Sequence, residues 1–380
     1  MTRETSRPTL AEIDLGSLRF NFRSSRDFIG SGVKYMAVVK ADAYGHGAVE
    51  CSRALEAEGV DWLGVALVEE AVELRDAGCR LPVLCLGGAW EGQEETILKR
   101  SITPAIFTLS QAERLHAAAE RRGESLAVHI KIDTGMGRVG VRHDRVPEFA
   151  ERLVKLSRLT VEGLMTHFAA ADDLAETDFT QMQTRRFWES VETFRKVGIE
   201  PEYLDLANSP AAVAHPATRS NMVRLGGILY GLGGDVLPGS APRPKLRPVL
   251  SLKTRIAQIK SVPEGETLGY SRAFKTKRDS TIATIPIGYA DGLCRGLSNV
   301  GEVIVRGRRA PIVGRISMDW TIVDVTDVGG AAEGDPVTII GRDGGEEILA
   351  EDVARMTETI SYEVTCSIGR RIPRNYKGGP

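Results

Sequence analysis

From Met36 to Tyr230, short apolar runs alternate with longer stretches in which apolar residues recur at helical spacing. The runs are YMAVVK (35–40), WLGVAL (62–67), LPVLCLG (81–87), TPAIFT (103–108), LAVHIKID (126–133), LTVEGLMTHF (159–168), EYLDLANS (202–209) and NMVRLGGILYG (221–231). Between them, VEEAVELRDAG (68–78) and SQAERLHAAAERRG (110–123) read as amphipathic helices that stop at a glycine. Eight strands, most followed by a helix, predict a (β/α)8 barrel. A doubly wound parallel sheet is the alternative, since alternation alone does not separate the two. The pattern changes at GGDVLPGSAPRPKLRP (233–248), a Pro- and Gly-rich linker. Beyond it VLSLKTRIAQIKSV, STIATIPIGYA, GEVIVRGRRAPIVG, WTIVDVTDV and DPVTIIG read as strands, and LAEDVARMTETI as one late helix. The division predicted is a barrel over 13–238 and a mostly β domain over 245–380. PTLAEIDL near the start reads as a strand, and the segment 1–12 is a candidate to join the second domain.

A chain of 380 residues, 42% of them hydrophobic, can bury a large core. A net charge of -2 gives no basic field for nucleic acid or an anionic membrane. No run approaches the ~20 apolar residues of a membrane span, and the first residues contain no leader-like apolar core. The five cysteines are scattered, with neither zinc-ligand spacing nor an even disulfide count. The expectation is a cytoplasmic protein.

Candidate chemistry gathers at strand ends. Lys40 closes the first run, His167 and Ser209 follow the sixth and seventh, and Arg224 lies within the eighth. A lysine at a strand end can snorkel to water. At the C-terminal mouth of a barrel it can instead be desolvated, its pKa lowered and its amine freed for imine chemistry. GMGRVG (135–140) allows a dinucleotide site with Glu162 on a ribose. Against this, the motif follows the fifth strand, no amphipathic helix follows at once, and Pro147 stands where one should run. The other readings are a tight loop needing positive φ, or a loop that aims Arg138 into a site. Strand alternation puts His129, Lys131 and Asp133 on one face, so Lys131 either pairs with an acid such as Asp133 or is a buried cation.

AVVKADAYGHG (37–47) resembles the pyridoxal-phosphate attachment segment of the alanine racemases. VHIKIDTGMGRVG, GLMTHFAAAD, LDLANSPA, VRLGGILYGL, LGYSRAF, IPIGYADG, VGRISMDW and ISYEVTCSIGRRIPR resemble that family in the family's order, over nearly the whole chain. The resemblance implies a (β/α)8 barrel followed by a β domain, working as a homodimer. It implies interconversion of L- and D-alanine with pyridoxal 5'-phosphate, supplying D-alanine for peptidoglycan. Lys40 would hold the cofactor and serve as one base. Tyr270, donated across the dimer with Met318, would be the other. A phenol of ordinary pKa near 10 needs help, and the relay implied is His167 and Arg224. Arg224 would also keep the cofactor's ring nitrogen unprotonated. Tyr44, Asn208, Ser209, Tyr362 and the backbone at Gly226 and Gly227 would hold the phosphate. Arg138 and the Met318 backbone would hold the substrate carboxylate, and Arg138 would also touch the cofactor. Lys131 would be carbamylated, and Tyr289 and Asp291 would lie near the entrance, although Asp291 also reads as a turn residue. Ser317 stands where the family more often has Cys. The alternatives are a racemase for serine and other small amino acids, or a pyridoxal-phosphate decarboxylase of similar architecture.

Overall fold

The computed structural model describes residues 7–379. Eight parallel strands, Lys34–Val38, Trp62–Val65, Val83–Cys85, Thr103–Ile106, Leu126–Asp133, Leu159–Met165, Tyr203–Ala207 and Met222–Leu225, pair in chain order. The eighth then pairs with the first, Met222 opposite Lys34 and Arg224 opposite Met36, so the sheet closes and the doubly wound alternative fails. The strands are mostly apolar on both faces because one lines the barrel and the other meets a helix. The helices follow local rules. Leu109–Arg122 starts on a capping box between Thr108 and Gln111 and ends at Gly123 with φ 67°. Pro147 does not interrupt a helix but begins one, Val146–Leu153, because a first-turn residue has no helical acceptor for its N–H. No helix among the described residues is long and apolar enough to cross a membrane.

Inside the barrel Met36, Trp62, Leu84, Ala105, Met165 and Met222 pack into a small core of their own. His129 joins them, stacked 5.9 Å from the Tyr203 ring and 5.4 Å from Trp62. Strand alternation therefore turns Lys131, Asp205 and Arg224 inward one step nearer the C-terminal mouth. Glu162, the acid of the dinucleotide reading, is in the sixth strand with its Oε2 3.8 Å from His129 Nε2. The glycines of GMGRVG all adopt positive φ, as the tight-loop reading expects.

The second domain is built on a sheet ordered Arg308–Pro311, Glu302–Val305, Pro336–Asp343, Leu250–Arg255, Leu10–Asp14 and Arg374–Lys377. Leu10–Asp14 thus crosses from the N-terminus, antiparallel to Leu250–Arg255 and parallel to Arg374–Lys377. Of the segment 1–12, residues 1–6 lie outside the described residues. A smaller sheet, Gln258–Val262, Ser280–Ile285 and Thr321–Asp324, completes the domain, and the hairpin Thr267–Leu268 with Phe274–Lys275 projects from it.

Candidate active site

The first barrel strand ends in a left-handed turn. Ala41, Asp42, Ala43 and Tyr44 all have φ between 52° and 55°, and none is glycine. Such a conformation costs roughly 1–2 kcal/mol per residue, so outside contacts must hold it. Glu70 accepts from the Ala41 N–H at 2.6 Å, Asp42 Oδ1 accepts from Ala48 N–H at 2.7 Å, and Asp42 O from Gly47 N–H at 2.8 Å. His46 lies fully buried against the Tyr230 ring, its Nδ1 2.9 Å from the carbonyls of Ala43 and Tyr44. The second domain grips the same turn. Arg374 donates to the Gly45 carbonyl at 3.1 Å, and a Cβ on Gly45, whose φ is 84°, would fall 2.1 Å from the Thr365 carbonyl oxygen. Lys40 is thereby fixed at the barrel mouth.

After the eighth strand, Gly226 and Gly227 are covered by two phenols. A Cβ on Gly226 would sit 2.6 Å from Tyr44 Oη, and one on Gly227 would sit 2.3 Å from Tyr362 Oη. The two tyrosine rings meet edge to face at 5.1 Å. Ser209 Oγ accepts from Gly226 N–H at 2.9 Å, and Asn208 caps the helix Ser209–Ala214 through Ala211 N–H. The structure thus brings Tyr44, Asn208, Ser209, Gly226, Gly227 and Tyr362 to one hydroxyl- and amide-rich hollow. Only glycine permits so close an approach of the rings to the backbone.

Beside the hollow stand four cations. Burial, then Arg138, lowers the Lys40 pKa from its ordinary value. Burial, then Arg224, Arg138 and Lys40, pushes Lys131 down to about 8. Lys131 makes no ion pair with an acid among the described residues. The pairing with Asp133 does not form; that carboxylate faces the loop instead, its Oδ1 accepting from the N–H groups of Gly135 and Gly137, each at 3.0 Å. Arg224 is buried with Asp205 Oδ1 2.5 Å from its Nη1, and its Nη2 donates to Thr166 O at 2.8 Å and His167 Nδ1 at 3.2 Å. A guanidinium only donates, so His167 Nδ1 accepts and its proton sits on Nε2. Burial and Arg224 push His167 down to about 2, which keeps the ring neutral. Arg224 Nε donates to no protein acceptor among the described residues.

Tyr270 and Met318 are elsewhere. Both are on the second domain, 69% and 53% exposed, and neither hydrogen-bonds to a barrel residue. Tyr289 is also exposed there, and the buried Asp291 closes the turn after Gly288. Three supports of the site escaped the sequence reading: Glu70, Asp205 and Tyr230, whose hydroxyl donates to Val38 O at 2.9 Å. Asp205 carried a signal, being the one charge inside the apolar run YLDLA.

The buried histidines make folding sensitive to acid. Burial holds His46 at about 4 and His129 at about 3, against an ordinary 6.5. Above 6.5 both states are neutral and the stability is fully present. As pH falls, the unfolded chain binds protons that the folded chain refuses, costing about 3 kcal/mol per pH unit for the pair. Urea midpoints should therefore fall steeply between about pH 6 and pH 4. With His167 held down as well, His129→Leu should remove about a third of the histidine contribution to that slope, and an unchanged slope would refute it.

The family model "Alanine racemase, N-terminal domain" matches residues 13–233, and "Alanine racemase, C-terminal domain" matches 249–376. The chain is similar to an alanine racemase of Geobacter sulfurreducens, 44% identical over 98% of this chain and 97% of that one. It is also similar to the crystal structure of alanine racemase from D-cycloserine-producing Streptomyces lavendulae, with TM-score 0.93 and 35% identity over 99% of each chain. Another similar structure is that of Bartonella henselae alanine racemase with covalently bound pyridoxal phosphate, with TM-score 0.87 and 30% identity over 97% of this chain and 99% of that one. With a closed barrel, a strand-end lysine, a glycine hollow under two phenols and matches along both domains, the chain belongs to the alanine racemase family.

Proposed function

We propose that this site interconverts L- and D-alanine with pyridoxal 5'-phosphate, using Lys40 and Tyr270 as acid/base groups on opposite faces of the α-carbon. The observation that carries the reading is the pairing of a desolvated strand-end amine with two glycines, Gly226 and Gly227, covered so closely by the Tyr44 and Tyr362 phenols that a Cβ on either would collide with one of them. The residues fit the cofactor. Tyr44, Ser209 and Tyr362 offer hydroxyls for its phosphate, and the N–H groups of Gly226 and Gly227, the first of them donating to Ser209 Oγ in this structure, lie beside them, with Asn208 shaping the turn. Lys40 would hold pyridoxal phosphate until the substrate amine takes its place; bound to that amine, the group would supply an electron sink that acidifies the α-hydrogen, and the Lys40 amine would be left free.

The chain's own groups do the rest. The Lys40 amine, its pKa lowered by burial and by Arg138, takes and returns a proton at one face. A second copy of the chain brings its Tyr270 to the other face, and the exposure of Tyr270 and Met318 in one chain supports that arrangement. The Nε2–H of neutral His167 steadies the phenolate of the partner's Tyr270, and Arg224 holds the tautomer by donating to Nδ1. Arg224 Nε–H is left for the ring nitrogen and keeps it unprotonated. Arg138 and the Met318 N–H take the substrate carboxylate. Lys131, a cation among Lys40, Arg138 and Arg224 with no acid paired to it, becomes an anion by carbamylation and orients Arg138. Such an enzyme supplies D-alanine for peptidoglycan in the cytoplasm.

The test is to incubate the dimer with the vitamer and L-alanine in D2O. The expected result is a visible absorbance band that borohydride fixes to Lys40, deuterium at the α-carbon, D-alanine, and no CO2. Colourless protein would refute the cofactor site, and CO2 release would turn the reading toward a decarboxylase. Faster turnover of serine would move the reading to a broader racemase. Intact mass under native conditions should carry one added CO2 on Lys131.

A further inference from the structure

Asp291 has a buried carboxylate, yet it is surrounded by donors. Arg7 Nη1 donates to Oδ1 at 2.8 Å and Nη2 to Oδ2 at 2.5 Å, while Gly288 N–H reaches Oδ2 at 3.1 Å. Arg7 also donates to Pro286 O through Nε at 3.1 Å and Nη2 at 2.7 Å. On the far side Arg371 Nε lies 3.5 Å from Asp291 Oδ1, and its Nη2 donates to Asp319 Oδ1 at 2.6 Å. Burial alone would raise the Asp291 carboxyl, but Arg7 and the Gly288 N–H hold it below the usual range. The chain of charges therefore runs Arg7, Asp291, Arg371, Asp319.

The two acids bracket the Met318 peptide. Tyr289 N–H donates to Ser317 O at 3.0 Å and Ala290 N–H to Met318 O at 3.1 Å. A Cβ on Gly288 would fall 2.3 Å from Ser317 O, so the two loops touch backbone to backbone. Ser317 C=O and Met318 N–H belong to one planar trans peptide and point in opposite directions. The bond to Ser317 O therefore fixes where the Met318 N–H points, and that N–H donates to no acceptor among the described residues. The turn supplying the bond, Gly288 to Asp291, is held by Asp291.

We propose that Arg7, Asp291, Arg371 and Asp319 form an ionic clasp that sets the direction of the Met318 N–H toward the substrate carboxylate, which makes Arg7 a positioning residue for the reaction. Asp291 is buried while Arg7 is partly exposed and the Arg371–Asp319 arm about half exposed, so the pairs add little net stability and what they give here is a fixed direction. The inference rests on the proposed role of Met318. Acting through the second domain, Arg7 of one copy would tune the active site of the other.

The experiment compares KM and kcat for alanine, the cofactor absorbance and the melting temperature in the holoenzyme and its variants. Arg7→Met should raise KM about tenfold, the worth of a hydrogen bond to a charged group, with kcat within about twofold. Absorbance should be unchanged, and Arg7→Lys should recover part of KM. Asp319→Asn should move KM the same way. Met318→Pro, which removes the N–H, tests the underlying reading: an unchanged KM there refutes the role of Met318 itself. A raised KM in Met318→Pro with unchanged KM in Arg7→Met and Asp319→Asn overturns the clasp alone. Equal losses of kcat and melting temperature without rescue by lysine would assign Arg7 to stability and also overturn it.

Discussion

Replacing Lys40 with alanine lowers alanine racemisation by at least about 10⁴-fold, because one side chain serves twice. On the proposed reading it anchors the cofactor and moves the proton on one face. The loss is chemical and not conformational. The left-handed turn is held through the Ala41 N–H, the Asp42 carboxylate and the Gly45 carbonyl, none of which involves the Lys40 side chain. The variant should melt within a few degrees of the parent, bind the vitamer without a borohydride-stable link, and regain a fraction of activity with a small added primary amine. Initial rates of D-alanine formation and peptide mapping after borohydride treatment are the measurements. Racemisation at the parent rate would remove Lys40 from the reaction.

The second large effect is at Tyr270. Tyr270→Phe deletes an exposed hydroxyl without disturbing a core, so the fold and the dimer should be unaffected. Interconversion should fall by about 10²–10⁴-fold, the usual worth of a positioned acid or base. Lys40 still serves its own face. The enantiomer whose α-hydrogen points at Lys40 should continue to exchange with D2O while keeping its configuration, and the mirror enantiomer should not exchange. Mass spectrometry with a chiral separation distinguishes the two. Equal exchange of both enantiomers in this variant would mean that one base, or water, works both faces.

The barrel was legible because each of its strands is a mostly apolar run and each run is set apart by a helix or a glycine turn. Pro147 was misread because proline is a breaker inside a helix and a starter at its first turn, and only the boundary decides which. The turn after Lys40 was not legible at all. Ala41 to Tyr44 contain no glycine, and their positive φ depends on Glu70, Thr365 and Arg374, which are remote in sequence. For Arg224 the fold supplies the contact with His167 that the implied relay needs, and it adds an ion pair with Asp205 on the same guanidinium. For Lys131 the nearest acid on its face was the natural partner, but that acid faces the loop amides instead. Tyr270 lies in water in the single chain, and its proposed catalytic place rests on a second copy.

The grip of Arg374 and the Thr365 carbonyl on the turn after Lys40 means that the barrel is not a self-sufficient catalyst onto which a dimerisation module was added. A barrel severed at the linker would lose the wedge that keeps four residues wound the wrong way. The turn would relax toward ordinary backbone, and the amine would leave the mouth before any partner could arrive. If the proposed dimer forms, each C-terminal half is committed to two centres at once, bracing the lysine of its own chain while lending a phenol to its neighbour's.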